Sequence, residues 1–537
     1  MSQFVDVMLA TASNGRDRGM TTGEPAAPVR RTWAEVHERA RRMAGALDVA
    51  PGTAIAVLAA EPAVIAPAVQ AAWLCGGSVT MLHQPTPRTD LAEWAEDTLR
   101  VLAMIDSRLV LLGSPFDALA AVLDQHGVPY RLLSELDAEP IAAPVPTDED
   151  ATALLQLTSG STADPKAVRI THRNLMANAR GMEIAAALDP ESDVMVSWLP
   201  LFHDMGMVGF LTVPMLFGLE LVKVTPVDFL SRPTLWADLI TRYKGTITAA
   251  PNFAYAIVAR RLASSSDSFD LSSMRLALNG AEPIDPAAVQ AFVVAGERFG
   301  LRPESILAAY GMAETTLGVA FAPLFTGLSV DVVDAESLEA THRAVPTEGG
   351  RAFPLLGPPL PGLELRVVSD SGDVLGVRDV GELQIRGEAV TPGYLTVDGP
   401  LATQDAEGWL STGDLGYLVE DGQVVVCGRR KDVIIMGGRN IYPTDVERAA
   451  CSVEGVRAGN AVAVRLDAGT QRERFAVVLE SKLAGDAEAE KDLVKQVTAR
   501  VVDAVGLRPF AVVVQPPGTL PKTPSGKLRR SAAAELV

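Results

Sequence analysis

A cluster of hydroxyls closed by one lysine is the part of this chain best suited to hold a polyanion. Thr158, Ser159, Ser161 and Thr162 surround Gly160, and Lys166 ends the run after Ala163-Asp164-Pro165. Hydroxyl donors, an ammonium and a backbone that glycine lets come close are what phosphate oxygens require. The preceding Leu154-Leu155-Gln156-Leu157 reads as the strand that presents the loop. Alone, the segment is equally a Ser/Thr turn ahead of a helix. Further motifs follow in order: Tyr310-Gly311-Met312-Ala313-Glu314, Ser411-Thr412-Gly413-Asp414, Gly428-Arg429-Arg430-Lys431-Asp432 and Pro521-Lys522-Thr523-Pro524-Ser525-Gly526-Lys527. Each has a bland reading when isolated. A glutamate after an aromatic-glycine pair is a surface charge, Gly-Asp is a turn, and a lysine on a polar tail is solvated.

The elements that must position these residues alternate between helix and strand. Thr32 with Glu35 forms a capping box opening a helix through Leu47. Ala54 to Ala59, Ser78 to Leu82, Leu109 to Leu112, Ile247 to Ala250 and Met274 to Asn279 read as short apolar strands. Val64 to Leu74 and Asp90 to Ile105 read as helices between them. This alternation predicts parallel sheets covered by helices. From Pro361 the texture changes to strands and turns, with strands expected at Glu364 to Val368, Glu382 to Arg386 and Gln423 to Cys427. After Lys431 comes an α+β pattern: a helix at Thr444 to Ala450, strands near Ala461 and Ala476, a helix at Ala487 to Val505 and a strand at Ala511 to Gln515.

The chain has 537 residues, more than one ordinary domain, and a net charge of -19. Such a surface repels nucleic-acid phosphates and anionic lipid, so neither is expected as a main partner. Cys75, Cys427 and Cys451 have neither metal-ligand nor disulfide-framework spacing and suit a reducing, cytoplasmic setting. No signal peptide is expected at the N-terminus. The most apolar stretch, Ala54 to Val79, is interrupted by Glu61, Pro62 and Pro67 and fits strand-helix-strand better than a membrane span.

Five motifs in this order resemble the superfamily that activates carboxylic acids with ATP to acyl-adenylates. The resemblance runs from about Thr32 to Arg530. It implies an α/β fold: a large N-terminal domain of stacked helix-covered sheets plus a distorted β-barrel (residues 1–430, with 355–430 the β-rich part). A small, mobile C-terminal α+β lid domain (431–537) follows. It also implies roles. Thr158, Ser159, Gly160, Ser161, Thr162 and Lys166 hold the β- and γ-phosphates. Asn279-Gly280-Ala281-Glu282 flanks the adenine, and Tyr310, in Tyr310-Gly311-Met312-Ala313, stacks on it. Glu314 holds Mg²⁺, with Thr315 a lesser contact. Asp414 accepts from the ribose hydroxyls, Arg429 contacts ribose or phosphate, and Lys431 is the hinge. Lys527 sits between the carboxylate and the α-phosphate as the adenylation lysine. ATP and Mg²⁺ are the implied cofactors. The chain departs from the pattern at Ala163 and Ala167, where glycine is usual.

Trp198-Leu199-Pro200-Leu201-Phe202-His203-Asp204-Met205-Gly206 and Pro251-Asn252-Phe253-Ala254-Tyr255 narrow the resemblance to fatty acyl-AMP ligases. It places His203 at the mouth of an acyl pocket walled by Phe253 and Tyr255. Ordinary core packing is the bland reading of those aromatics. Residues 320–353 form a connection long for a compact domain. Fatty acyl-AMP ligases carry there an insertion that restrains the lid and disfavours free coenzyme A. The implied partners are a fatty acid and an acyl carrier protein, whose phosphopantetheine thiol takes the acyl group. An acyl-CoA synthetase, an amino-acid adenylation domain and a silent binding homologue are the rival readings.

Overall fold

The computed structural model describes residues 1–85, 89–158, 164–436, 439–468, 470, 473–522 and 528–537. The chain forms two compact units. One comprises residues 1–329, 356–364 and 385–410. The other comprises 330–355, 365–384 and 411–537. The architecture is mixed α/β, as the alternation of patterns requires.

The first unit contains two eight-stranded sheets among its described residues. In one, strands Ile306–Gly311, Leu276–Asn279, Ile247–Ala250, Val194–Ser197, Glu220–Lys223 and Gly19–Thr22 run parallel. Antiparallel strands Gly318–Phe321 and Val29–Thr32 close its edges. In the other, Thr152–Thr158, Ser78–Met81, Ala54–Leu58, Ser107–Leu112 and Tyr130–Leu132 are parallel. Lys166–Thr171, Gly393–Thr396 and Gly399–Ala402 are antiparallel additions. The expectation of parallel sheets therefore holds for their centres and for the Tyr130–Leu132 edge. Where an added strand closely follows its neighbour in the chain, as Lys166–Thr171 follows Thr152–Thr158, the connection is too short for a crossover and folds back antiparallel, whereas Gly393–Thr396 joins from more than two hundred residues away.

The strong local signals have direct counterparts in the structure. Thr32 caps helix Trp33–Ala46: its hydroxyl accepts from the Glu35 N–H at 3.2 Å, while Glu35 accepts from the Thr32 N–H at 2.7 Å. The apolar stretch is strand Ala54–Leu58, helix Pro62–Leu74 and strand Ser78–Met81, with the helix buried on nearly every side. Among the described residues no helix is long and apolar enough to cross a membrane.

In the second unit, residues 365–368, 381–384, 411–418 and 424–429 carry a four-stranded sheet. Strands Val456–Leu466, Arg474–Ser481 and Ala511–Gln515 form another, packed by helices Pro443–Cys451 and Ala487–Val505. Leu493, Val497, Val501 and Val505 recur every fourth residue and face that core, and Gly506 ends the helix at φ 70°. Residues 320–353, expected as a connection, carry regular elements from Val330 onward. Strand Val330–Val333 pairs antiparallel with Arg351–Pro354, and helix Ala335–Thr341 lies between them in sequence.

Candidate active site

Strand Thr152–Thr158 leads into the hydroxyl loop and Lys166–Thr171 leads out of it. Thr158 stands opposite Lys166 across the ladder. The loop is thus the connection of a hairpin; a strand, not a helix, follows it. Ser159, Gly160, Ser161, Thr162 and Ala163 lie outside the described residues. At the loop's base the Thr158 hydroxyl is buried and has no partner among the described residues. Ala167 is fully buried in the strand, opposite Leu157 and Leu395, so its methyl belongs to the core rather than to the loop. The Lys166 ammonium sits 4.1 Å from the centre of the Tyr394 ring.

The same strand holds the histidine segment. Gln156 is buried, and its Nε2 donates to the carbonyl of Phe202 at 2.9 Å. His203 Nδ1 lies 2.6 Å from Asp204 Oδ1, and the His203 carbonyl accepts from Met207 N at 2.8 Å. A π-helical turn, Met205–Thr212, follows. Gly206 is obligatory in it, since a Cβ there would lie 2.0 Å from the Pro200 carbonyl oxygen.

Two residues that the motifs did not mark support this segment. His83 packs its ring edge-on against Phe202, with centroids 5.5 Å apart. Burial, and secondarily the neighbouring His203, push the His83 pKa down to about 4. Lys223, at the end of its strand, is buried; its ammonium donates to Ser197 Oγ at 3.2 Å and to the Leu199 carbonyl. Burial pushes its pKa down to about 7. A lone histidine and a lone lysine at a strand end carry no spacing signal, and only the fold brings them to the Trp198–His203 turn.

Segments 251–255 and 279–285 interlock. Asn252 Oδ1 accepts from Asn279 Nδ2 and from Asp285 N, both at 3.2 Å. Glu282 accepts from Phe253 N at 2.6 Å. Ala281 adopts φ 67°, a conformation that costs a non-glycine residue energy and that this interlocking holds in place. Asn279 Oδ1 is a buried acceptor without a partner among the described residues. Phe253 is partly exposed and stands edge-on to Trp198 at 6.2 Å. Tyr255 is fully buried between Trp236 and Phe292, and its hydroxyl donates to the Leu278 carbonyl at 2.7 Å. Here the two aromatics part company: Tyr255 is packed core, and Phe253 borders space.

Tyr310 and Gly311 end strand Ile306–Gly311. A Cβ on Gly311 would lie 2.4 Å from the Leu317 carbonyl oxygen, which explains the glycine after the tyrosine. Met312 and Ala313 are buried, and Thr315 donates its hydroxyl to the Met312 carbonyl at 2.9 Å. The next residue, Thr316, is β-branched yet holds φ 71°, strained backbone at the foot of the glutamate turn. Its hydroxyl donates to the Ala389 carbonyl at 3.1 Å, and the Thr391 N–H donates to the Glu314 carbonyl at 2.8 Å. The Tyr394 hydroxyl donates to Glu314 Oε1 at 2.7 Å.

In the second unit, Asp414 and Arg429 face each other across an antiparallel pair, with Arg429 Nε 2.8 Å from Asp414 Oδ1. Asp414 is buried, while Arg429 is about half exposed. Lys431 is exposed just after that strand, and its carbonyl accepts from Arg465 at 3.3 Å. Lys527, with Thr523 to Gly526, lies outside the described residues. Segment 330–355 is fastened to the C-terminal part of the unit by ion pairs centred on the buried Glu339 and Arg351. Glu339 accepts from Arg439 Nε at 2.9 Å and from Arg351 at 3.3 Å. Arg351 also pairs with Asp445, and Tyr417 donates to Asp331 at 2.7 Å.

The mixed α/β fold and the relatives below make this an acyl-adenylate-forming ligase. The chain belongs to the AMP-binding enzyme family, whose model matches residues 11–395. It is 56% identical over 544 residues to Rv1013 of Mycobacterium tuberculosis, a protein named as a ligase without a substrate; the match covers 100% of both chains. It is 34% identical over 410 residues to the M. tuberculosis long-chain-fatty-acid–AMP ligase FadD28, covering 72% of this chain and 70% of that one. Among solved structures it resembles, with a TM-score of 0.90 and 30% identity, one from studies of the fatty acyl-adenylate ligases of E. coli and L. pneumophila; 100% of this chain and 97% of that one are covered.

Proposed function

We propose that the protein activates a fatty acid with ATP to fatty acyl-AMP and pyrophosphate, then passes the acyl group to the phosphopantetheine thiol of an acyl carrier protein in the cytoplasm. Two anions must meet, so the work is positioning and neutralisation of charge. Lys166 and the hydroxyls of Thr158 to Thr162 take the β- and γ-phosphates. Tyr310 stacks on the adenine beside Asn279 to Glu282, and Asp414 with Arg429 takes the ribose. Lys527 neutralises charge between carboxylate and α-phosphate, while His203 and Phe253 border the acyl chain. Lys431 is the hinge between residues 1–430 and the lid.

Glu314 fits a Mg²⁺ ligand. It is a single carboxylate whose one bonded neighbour named above is a neutral hydroxyl, the donor set for an ion that takes its other ligands from phosphates and water. When bound, that ion would neutralise phosphate charge.

The observation that carries the choice of acceptor is the buried junction of Glu339 and Arg351 with Arg439 and Asp445. Segment 330–355 packs with the C-terminal residues through groups that are costly to separate. That supports a restrained lid and a carrier-borne thiol rather than free coenzyme A. The relation to FadD28 supports a long-chain acid. The test is a radiolabelled fatty-acid assay with ATP and Mg²⁺, with and without coenzyme A, over several chain lengths. Acyl-adenylate that persists in coenzyme A is expected. Conversion to acyl-CoA would make the protein a synthetase, and no product with any acid would overturn the substrate class.

A further inference from the structure

Residues 389–396 touch both charged groups assigned to the triphosphate end of the nucleotide. Strand Gly393–Thr396 pairs antiparallel with Lys166–Thr171, so that Tyr394 lies opposite Val168 and Thr396 opposite Lys166. Alternate residues share a face, which places the Tyr394 ring beside the Lys166 side chain, and the ammonium stands 4.1 Å from its centre. The segment just before this strand grips the glutamate turn. Thr391 N–H donates to the Glu314 carbonyl, and the Ala389 carbonyl accepts from the strained Thr316. Tyr394 then completes the grip by donating its hydroxyl to Glu314 Oε1 at 2.7 Å. One side chain thus offers its π-face to the cation and its O–H to the anion.

We propose that Tyr394 is a positioning residue that sets Glu314 and Lys166 in register for the Mg²⁺-bound triphosphate; the proposal rests on the functional reading above. The chemistry is specific to a phenol. A carboxylate at Tyr394 would draw Lys166 into a closed ion pair, and an aliphatic side chain would leave Glu314 without its donor. Tyrosine orients both groups through neutral contacts and closes neither into an ion pair. The hydroxyl acts on the metal side through a charge-assisted hydrogen bond, and the ring acts on the phosphate side through a cation–π contact.

Binding of α,β-methylene-ATP, measured by calorimetry with and without Mg²⁺, tests this without turnover. Tyr394→Phe keeps the ring and removes the hydroxyl. It is expected to lose about ten-fold or more of the affinity that Mg²⁺ adds, the scale of a charged hydrogen bond, while Mg²⁺-free affinity stays at the wild-type value. Tyr394→Leu is expected to lose a further two- to five-fold, roughly, of Mg²⁺-free affinity, the scale of an exposed cation–π contact. In a Glu314→Gln background, Tyr394→Phe should no longer change the response to Mg²⁺, a coupling that general loosening of the fold would not produce. A wild-type Mg²⁺ increment in Tyr394→Phe overturns the proposal and leaves the functional reading standing. An equal loss with and without Glu314 also overturns it. A wild-type protein whose binding of the analogue ignores Mg²⁺ overturns the reading and the proposal with it.

Discussion

The groups of the first unit assigned to the triphosphate and adenine are held differently from the charges of the second unit. In the first, groups assigned to the nucleotide are held by neutral partners or left open. Lys166 rests on an aromatic face, Glu314 accepts from a phenol, and the Thr158 hydroxyl and Asn279 Oδ1 are buried without partners among the described residues. In the second, charge is cancelled in place: Asp414 by Arg429, Glu339 by Arg439 and Arg351, Asp331 by Arg378. A buried group without a partner costs stability, whereas a charge paired in place resists separation. The first pattern suits a site that must take up a polyanion. The second, apart from the Asp414–Arg429 pair assigned to the ribose, suits a body that must keep one arrangement of its own parts.

The sharpest way to break the contrast is to unpair the second unit. Glu339→Ala removes the buried carboxylate that Arg351 and the partly exposed Arg439 share, leaves Arg351 only Asp445, and is expected to destabilise that unit by about 2–3 kcal/mol. Trp33, Trp73, Trp94, Trp198, Trp236 and Trp409 all fall in the first unit. Tryptophan fluorescence should therefore keep its wild-type unfolding midpoint while the far-ultraviolet signal acquires an early transition; coincident transitions would refute the separation. Comparable in size, Lys527→Ala is expected to slow acyl-adenylate formation about 10²–10³-fold, the scale of one preorganised charge-stabilising group, without weakening ATP binding. Near-wild-type adenylation would remove the lysine from the mechanism.

The smallest effect sharpens the contrast through pH. Burial holds the His172 pKa down at about 4, so the folded first unit refuses a proton that the unfolded chain accepts below about 6.5. Stability from this group is present above pH 6.5 and is lost as pH falls towards 4, by roughly 2 kcal/mol at pH 5. Thermal unfolding followed by tryptophan fluorescence between pH 7 and 5 should show the slope, and His172→Gln should reduce it, with His83, whose pKa is lowered in the same way, supplying much of the rest. An unchanged slope would mean that other groups carry the acid sensitivity.

Legibility followed the range of the interactions. The capping box at Thr32, helix Ala487–Val505 and strand Ala511–Gln515 were readable because caps and periodicity act over a few residues. The antiparallel sheet edges were not, since pairing of 393–396 with 166–169 joins segments more than two hundred residues apart. Phe253 and Tyr255 looked alike in sequence, two aromatics in one motif. Which one borders space depends on Trp236 and Phe292, brought in from other helices.

By itself the sequence determined the family, the order of the chemical motifs and most of the elements that carry them. It could do so because hydroxyl loops, glycines beside carbonyls and capping pairs are local demands of backbone and charge. Only the tertiary structure decided that Tyr394 stands between Lys166 and Glu314, that Lys223 and His83 support the histidine turn, and that residues 330–355 close on Arg439 and Asp445. Those are contacts between distant segments, set by strand order and core packing, and no spacing along the chain encodes them.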